Sequence, residues 1–307
     1  MDEKREAVSW KIISSPKLRS AVHVLIFTQL INGLVSGVLI TLIAIGVALT
    51  FGLLKVVNLS HAAIYTLGAY IGLTVFQLCG NFWIGMILAA LVTGSAGVLF
   101  ERLCIRHAYQ YPVLGFLITF ALLMGLTQAI RIIWGPGNQL APQPAYLTKV
   151  IYLGFIPVSS YRLFAILVAT CIMAGMWLLI SKTNIGLIVR ASLDNKAMVE
   201  SFGINASLIF TFVFGLGSAI AGVCGVLGSP IFGLFPDVGT QMLVLCFVVV
   251  VVGGLGSIRG AMLAGPIIGV VISFTALVSA GFSDAVIFIL MAGILLTKPT
   301  GFLGDRL

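Results

Sequence analysis

Nine apolar stretches follow one another along this chain, and that pattern leaves few folds open. They fall at about 21–50, 59–78, 82–100, 112–134, 161–180, 207–228, 241–255, 261–280 and 284–297. A straight helical crossing of a bilayer takes ~20 apolar residues. Inside lipid each backbone N–H and C=O must find its partner within the protein, so such a run folds as helices. The pattern predicts an all-α polytopic membrane protein of about 8–9 spans. The first stretch is overlong, while the seventh and ninth are short. Short or glycine-interrupted segments predict broken or re-entrant helices that line a pathway. Only 8% of residues are charged, against roughly 25% in soluble domains. No soluble domain is therefore predicted: residues 1–20 form a polar tail and 21–307 a single transmembrane domain. No small-residue cleavage site is visible, so the first apolar stretch is predicted to be retained.

The formal net charge is +8. In a soluble protein that balance points to nucleic acid, but here the basic residues sit at the ends of apolar stretches, so membrane orientation explains them instead. Lys55, then Arg102, Arg106 and His107, then Lys182, Arg190 and Lys196, then Arg259, and finally Lys298 and Arg306 each follow an odd-numbered stretch. All five groups can face the cytoplasm. Counting back puts residues 1–20 outside, although they carry Lys4, Arg5, Lys11, Lys17 and Arg19. Either the tail crosses the membrane or residues 21–55 do more than cross once. The five cysteines are scattered and form no CxxC pair, which suggests neither a disulfide framework nor a zinc site. GxxxG spacings at Gly33/Gly37, Gly68/Gly72, Gly256/Gly260 and Gly265/Gly269 predict close helix crossings.

Four polar or glycine-rich stretches could carry function. In the island 181–206, Asp194 is placed to cap a short helix over 195–202, with Leu193 and Met198 as a hydrophobic staple and Gly203 as its left-handed end. Met198 and Phe202 then share one face, and Lys196 and Glu200 another. This reads equally as an interfacial helix presented to a soluble partner and as an ordinary loop. Asn58, Ser60 and His61 open the second stretch, as a polar lining at a helix N-terminus able to receive a carboxylate or as a plain capped start. Gly253, Gly254, Gly256 and Ser257 lie in a run that lacks the Gly-Lys-Ser/Thr ending of a nucleotide loop, and they suggest a hinge, a pathway constriction or tight packing. Residues 229–239, with Phe232, Phe235 and Asp237, form an outer loop punctuated by Pro and Gly, either re-entrant, a docking surface for an outside partner, or a plain connection.

No set of side chains suited to catalysis appears, so no enzyme is predicted. Carboxylates are nearly absent from the apolar stretches, which argues against ion-coupled transport. A chain that moves solute without an ion site or a nucleotide site must borrow its energy or act as a passive pore.

Three motifs together resemble one family. Asn32-Gly33 through Phe51-Gly52 into Val57-Asn58-Leu59-Ser60-His61 and Leu67-Gly68-Ala69-Tyr70 is the first. Gly186, Arg190-Ala191 and Gly203-Ile204-Asn205 is the second, and Val252 to Ala261 the third, with Lys298-Pro299-Thr300-Gly301 at the end. They resemble the permease subunits of branched-chain amino acid ABC importers, the H-type more than the M-type, with Ala62 departing from the glycine usual after the histidine. The resemblance implies a type II-like importer bundle in the bacterial inner membrane. Its partners would be an M-type permease, two ATPase subunits and a periplasmic binding protein. ATP-Mg would lie in the ATPases, and this chain would hold no cofactor and no metal. The island 181–206 becomes the coupling loop, with Arg190, Asp194, Lys196, Met198, Glu200, Phe202 and Gly203 as candidate ATPase contacts. Asn58, Ser60, His61 and the glycines and serine of 253–257 become pathway candidates, and Phe232, Phe235 and Asp237 candidates for binding-protein docking. The cargo would be branched-chain or other hydrophobic amino acids. The alternatives are a urea or short-amide importer permease, or a self-sufficient channel.

Overall fold

The computed structural model describes residues 16–54, 58–141, 143–154, 156–279 and 281–304. Every predicted apolar stretch is a helix. α1 spans Pro16–Leu54, α2 Ser60–Cys79, α3 Phe82–Leu103 and α4 Pro112–Trp134. After a hairpin of β1 (Val150–Leu153) and β2 (Ile156–Ser159) come α5 (Ser160–Lys182), α6 (Asn184–Asp194) and α7 (Lys196–Ser201). α8 (Ala206–Phe232), α9 (Val238–Gly253), α10 (Ile258–Val278) and α11 (Phe282–Thr297) complete the described chain. Among the described residues 7 helices are long and apolar enough to cross a membrane, and α9 and α11 are shorter apolar helices.

α1 is one uninterrupted helix of 39 residues, roughly 58 Å long at 1.5 Å per residue. Residues 16–54 therefore hold no second crossing, one of the two options the sequence leaves open. The second half of α1 is the centre of the core, with Val35, Leu39, Leu42, Ala44, Ile45 and Val47 fully buried. Its first half exposes Val22, Leu25, Phe27 and Leu30, side chains that suit lipid.

The glycine spacings explain how the helices come so close. The pairs Gly33/Gly37 of α1 and Gly265/Gly269 of α10 face each other. A Cβ on Gly33 would stand 2.6 Å from the Val270 Cα, and one on Gly37 would stand 2.6 Å from the Gly265 carbonyl oxygen. Gly68 of α2 backs directly onto Gly222 of α8. Without a hydrophobic driving force between helices in lipid, such backbone approach is a main source of packing energy.

Two local features differ from the sequence expectation. α8 runs through Pro230 to Phe232; the Val226 carbonyl, which the proline has no N–H to serve, accepts from the Ser229 hydroxyl at 3.1 Å instead. The outer connection therefore shrinks to Gly233–Asp237. The island 135–160, to which the sequence analysis assigns no element, carries an antiparallel hairpin, in which Val150 pairs with Ser159 and Leu153 with Ile156.

Candidate functional site

The island 181–206 folds as two helices where the sequence suggested one. Thr183 Oγ1 accepts the Gly186 N–H at 3.2 Å and starts α6. α6 is amphipathic, with Val189 and Ser192 buried and Ile185 and Leu187 exposed. The cap of α7 is Asn195, not Asp194: Asn195 is extended (φ −149°, ψ 96°) and its Oδ1 accepts the Met198 N–H at 3.0 Å. Asp194 instead ends α6, since the helical stripe continues to it. The side chains of Leu193, Asp194 and Lys196 lie outside the described residues, and with them the staple and one half of the Lys196/Glu200 face. Gly203 takes φ +79° and ends the element as expected.

Met198 and Phe202 are 58% and 73% exposed, and Glu200 is exposed beside them. Together with Leu187, Ile188, Ala191 and Val199 they border an apolar groove of ≈ 340 Å³. Two turns of helix thus carry large bare hydrophobes at a polar end of the bundle. The basic residues Arg102, Arg106, His107, Lys182, Arg190, Arg259 and Lys298 lie at helix ends on this side, the side the positive-inside rule favours for the cytoplasm.

At the other site the N-termini of α2 and α9 meet inside the bundle. His61 lies between α1 and α8: a Cβ on Gly46 would stand 2.6 Å from its Nε2, and one on Gly217 3.8 Å from its Cε1. Gly217 is roughly 16 Å along α8, so α2 starts well inside the bilayer depth. α9 approaches from the outer side, where the Gly239 N–H donates to Thr66 Oγ1 at 3.0 Å and Gly239 presses on the Ala62 carbonyl. Asn58 Oδ1 accepts from the Ser60 N–H at 3.1 Å and from the Ser60 hydroxyl at 2.6 Å. Asn58 Nδ2, both His61 nitrogens, Tyr65 Oη and Ser218 Oγ are buried without a partner among the described residues. Orphaned donors and acceptors at this density call for water or a polar guest, because each costs about 1–3 kcal/mol while unpaired.

Gly253, Gly254, Gly256 and Ser257 make the turn from α9 to α10. Gly254 and Gly256 have φ +108° and +81°. Ser257 Oγ accepts the Gly260 N–H at 3.1 Å and caps α10. The chain after α11 folds under this turn: the Phe302 N–H donates to Val252 O at 2.8 Å and the Leu303 N–H to Gly253 O at 3.0 Å. The glycines thus make room for backbone, and only Gly256 stands clear of neighbours among these three.

On the outer face Phe232 and Phe235 pack partly buried against the core. Asp237 is half exposed, and its carboxylate accepts from Arg131 Nη2 at 2.7 and 2.5 Å. The Gln139 N–H donates to Leu234 O at 2.8 Å, so the loop after α4 covers the irregular backbone before α9. The large outward side chains on this face are Leu140, Tyr146 and Tyr152, which sequence reading passed over.

Sequence reading also missed a buried carboxylate. Glu101, at the cytoplasmic end of α3, is 0% exposed. Its oxygens accept from Tyr109 Oη at 2.8 Å, Thr211 Oγ1 at 2.6 Å and Arg106 Nε at 3.5 Å. Arg106 also reaches the Ser207 carbonyl and Thr211. Burial and the Glu101 charge together push the Tyr109 hydroxyl well above its ordinary range. The network ties α3 to the first two turns of α8, immediately after the island 181–206. Glu101→Ala is expected to destabilise the chain by about 3 kcal/mol, the scale for breaking a buried charged network. Glu101→Gln, which can re-form two of the bonds, is expected to lose less than half of that, read by thermal unfolding in detergent.

The sequence model of the family described as "Branched-chain amino acid transport system / permease component" matches residues 29–295. A high-affinity branched-chain amino acid transport system permease, BraD of Pseudomonas aeruginosa, is 31% identical over 292 residues, covering 90% of this chain and 95% of the relative. LivH of Escherichia coli, a permease of the same description, is 27% identical over 90% of this chain and 94% of its own length. A probable LivH permease of Methanocaldococcus jannaschii is 26% identical over 87% of this chain.

Proposed function

Because the chain belongs to the family of branched-chain amino acid transport permease components, we propose that it is the membrane-spanning subunit of an ATP-driven importer for branched-chain or other hydrophobic amino acids in a bacterial inner membrane. Energy comes from separate ATPase subunits, and a second, M-type permease completes the pathway. A soluble binding protein delivers cargo from outside. The observation that carries this reading is the bare Met198/Phe202 face beside its apolar groove. It sits on a short loop at the basic end of the bundle, and the loop leads straight into α8. An ATPase that grips this face moves α8, and α8 carries Gly217, Gly222 and Ser218, which pack on or beside α2 and α3. Arg190 donates to the Ile180 carbonyl and holds α6 against the end of α5, so α6 and α7 move with two spans rather than alone.

The pathway in this reading runs past the meeting point of α2 and α9. Two helix N-termini there present partial positive charge suited to a cargo carboxylate. The unpaired groups of Asn58 and His61 are the polar lining that becomes hydrated when the helices part. Asn58, Ser60 and His61 are the gating candidates, and the 253–257 turn is the pivot at the cytoplasmic end.

The test is reconstitution in liposomes with the second permease, the ATPases and the binding protein. Leucine, isoleucine and valine uptake is expected to require Mg-ATP on the coupling-loop side and to stop without the binding protein. Passage of these solutes through the chain alone, with no ATP, would establish a self-sufficient channel and end the importer reading.

A further inference from the structure

A second cavity at the cytoplasmic end differs from the coupling groove in chemistry. It measures ≈ 520 Å³ and lies among the ends of α1 and α5, the middle of α6, the α9–α10 turn and the first residues of α10. Arg190 lines it from one side and Arg259 from the other, with the hydroxyl-bearing Ser181 and Ser257 between them, and Trp177 and Leu49 supply apolar wall. No described carboxylate lines it. Arg259 has no hydrogen-bond or ion-pair partner among the described residues, and the one such bond of Arg190 goes to the Ile180 carbonyl oxygen. Both arginines are exposed and line the same space, so an anion entering it gains charge-assisted bonds from each.

The position of the cavity narrows the class of anion. Trp177 sits in the last two turns of α5, the level at which tryptophan marks the interface between acyl chains and headgroups. Arg259 is the second residue of α10, where backbone N–H groups without helical partners would also favour an anion. Arginine and serine side chains stand beside the apolar wall of Leu49, Trp177 and Ile180, as an amphiphile needs. Basic pockets between transmembrane helices on the cytoplasmic side suit phospholipid headgroups, and arginine's planar fork matches phosphate geometry. We propose that this cavity binds one anionic phospholipid of the inner leaflet. The arginines and serines hold its phosphate, and the wall at Leu49 and Trp177 takes the start of an acyl chain. The site bridges α6 of the coupling loop and the α9–α10 turn, so the lipid braces the two elements that the transport cycle moves.

Lipid binding at this cavity is independent of the transport reading, and its test needs neither cargo nor partner. The full chain, purified in detergent, is titrated with phosphatidylglycerol, phosphatidylcholine or inorganic phosphate, and bound species are counted by native mass spectrometry alongside thermal unfolding. One phosphatidylglycerol is expected to bind at least about tenfold more tightly than phosphatidylcholine, whose phosphate is the same but whose choline cation would be brought up against two arginines. Arg259→Gln is expected to erase that preference, and Arg259→Lys to keep most of it. Equal binding of the two lipids, or a preference untouched by Arg259→Gln, overturns the assignment. If inorganic phosphate at matched concentration protects as well as phosphatidylglycerol, the site takes free anions and the lipid assignment fails. Should Arg259→Gln not be recovered folded, the three-ligand comparison on the unaltered chain decides by itself.

Discussion

Met198→Asp combined with Phe202→Asp is expected to reduce ATP-driven uptake by more than about a hundredfold while leaving the chain folded. The two side chains are largely exposed in the isolated subunit, so aspartate there costs the fold little. In the proposed complex the same positions would press into an apolar partner surface. A carboxylate buried there without a counter-charge costs several kcal/mol, and each 1.4 kcal/mol is a factor of ten in affinity. Co-purification with the ATPases should fail in parallel, with an unchanged size-exclusion profile for the permease. Full uptake by the double variant would remove α7 from the coupling role. Loss of the folded peak would instead mean that these residues hold the subunit together, contrary to their exposure.

A second large effect is expected at the crossing of α1 and α10. Gly37→Val or Gly269→Val should abolish the monodisperse folded species seen by fluorescence size-exclusion chromatography. Gly269 is pressed against the Gly33 carbonyl and the Gly37 Cα, and Gly37 lies 2.6 Å in Cβ terms from the Gly265 carbonyl. These neighbours are backbone and cannot swing aside, so the helices must separate. The cost should exceed the ~1–3 kcal/mol of ordinary overpacking, out of a total stability on the order of 5–15 kcal/mol. Gly293→Ala is the matched control, since nothing stands within 4 Å of its added carbon, and it should behave as the unaltered chain. A folded, monodisperse Gly269→Val would show that the close crossing is dispensable.

Much of this fold was legible in the sequence because lipid permits so few backbone solutions. The nine apolar stretches mark the helices within a few residues, and the paired GxxxG spacings at 33/37 and 265/269 anticipate the tightest crossing. Gly203 announces the end of α7. What stayed hidden depended on groups far apart in the chain. Glu101 reads as a charge at a helix end until Tyr109 and Thr211 are folded onto it. α6 was missed although Thr183 and the apolar positions Ile185, Ile188 and Val189 carried a signal. Asp194 and Asn195 are both capable caps, and only the length of α6 decides between them. His61 could be placed at a helix start but not at a depth, since that depth is set by Gly46 and Gly217 on two other helices. Pro230 is accommodated inside α8 because the Ser229 hydroxyl serves the Val226 carbonyl that the proline leaves without an N–H, a pairing the sequence does not announce.

The start of α9 inside the bundle also bears on how the protein is made. A helix of 16 residues, preceded by the irregular backbone of Gly233–Asp237, is a poor candidate for independent release from the insertion machinery into lipid. Its first turn leans on Thr66, and the turn before it on Gln139, both synthesised long before it. The nascent chain must therefore keep α2 and the loop after α4 assembled and waiting, and biogenesis of the last third of the subunit becomes a templated step rather than a sequential one.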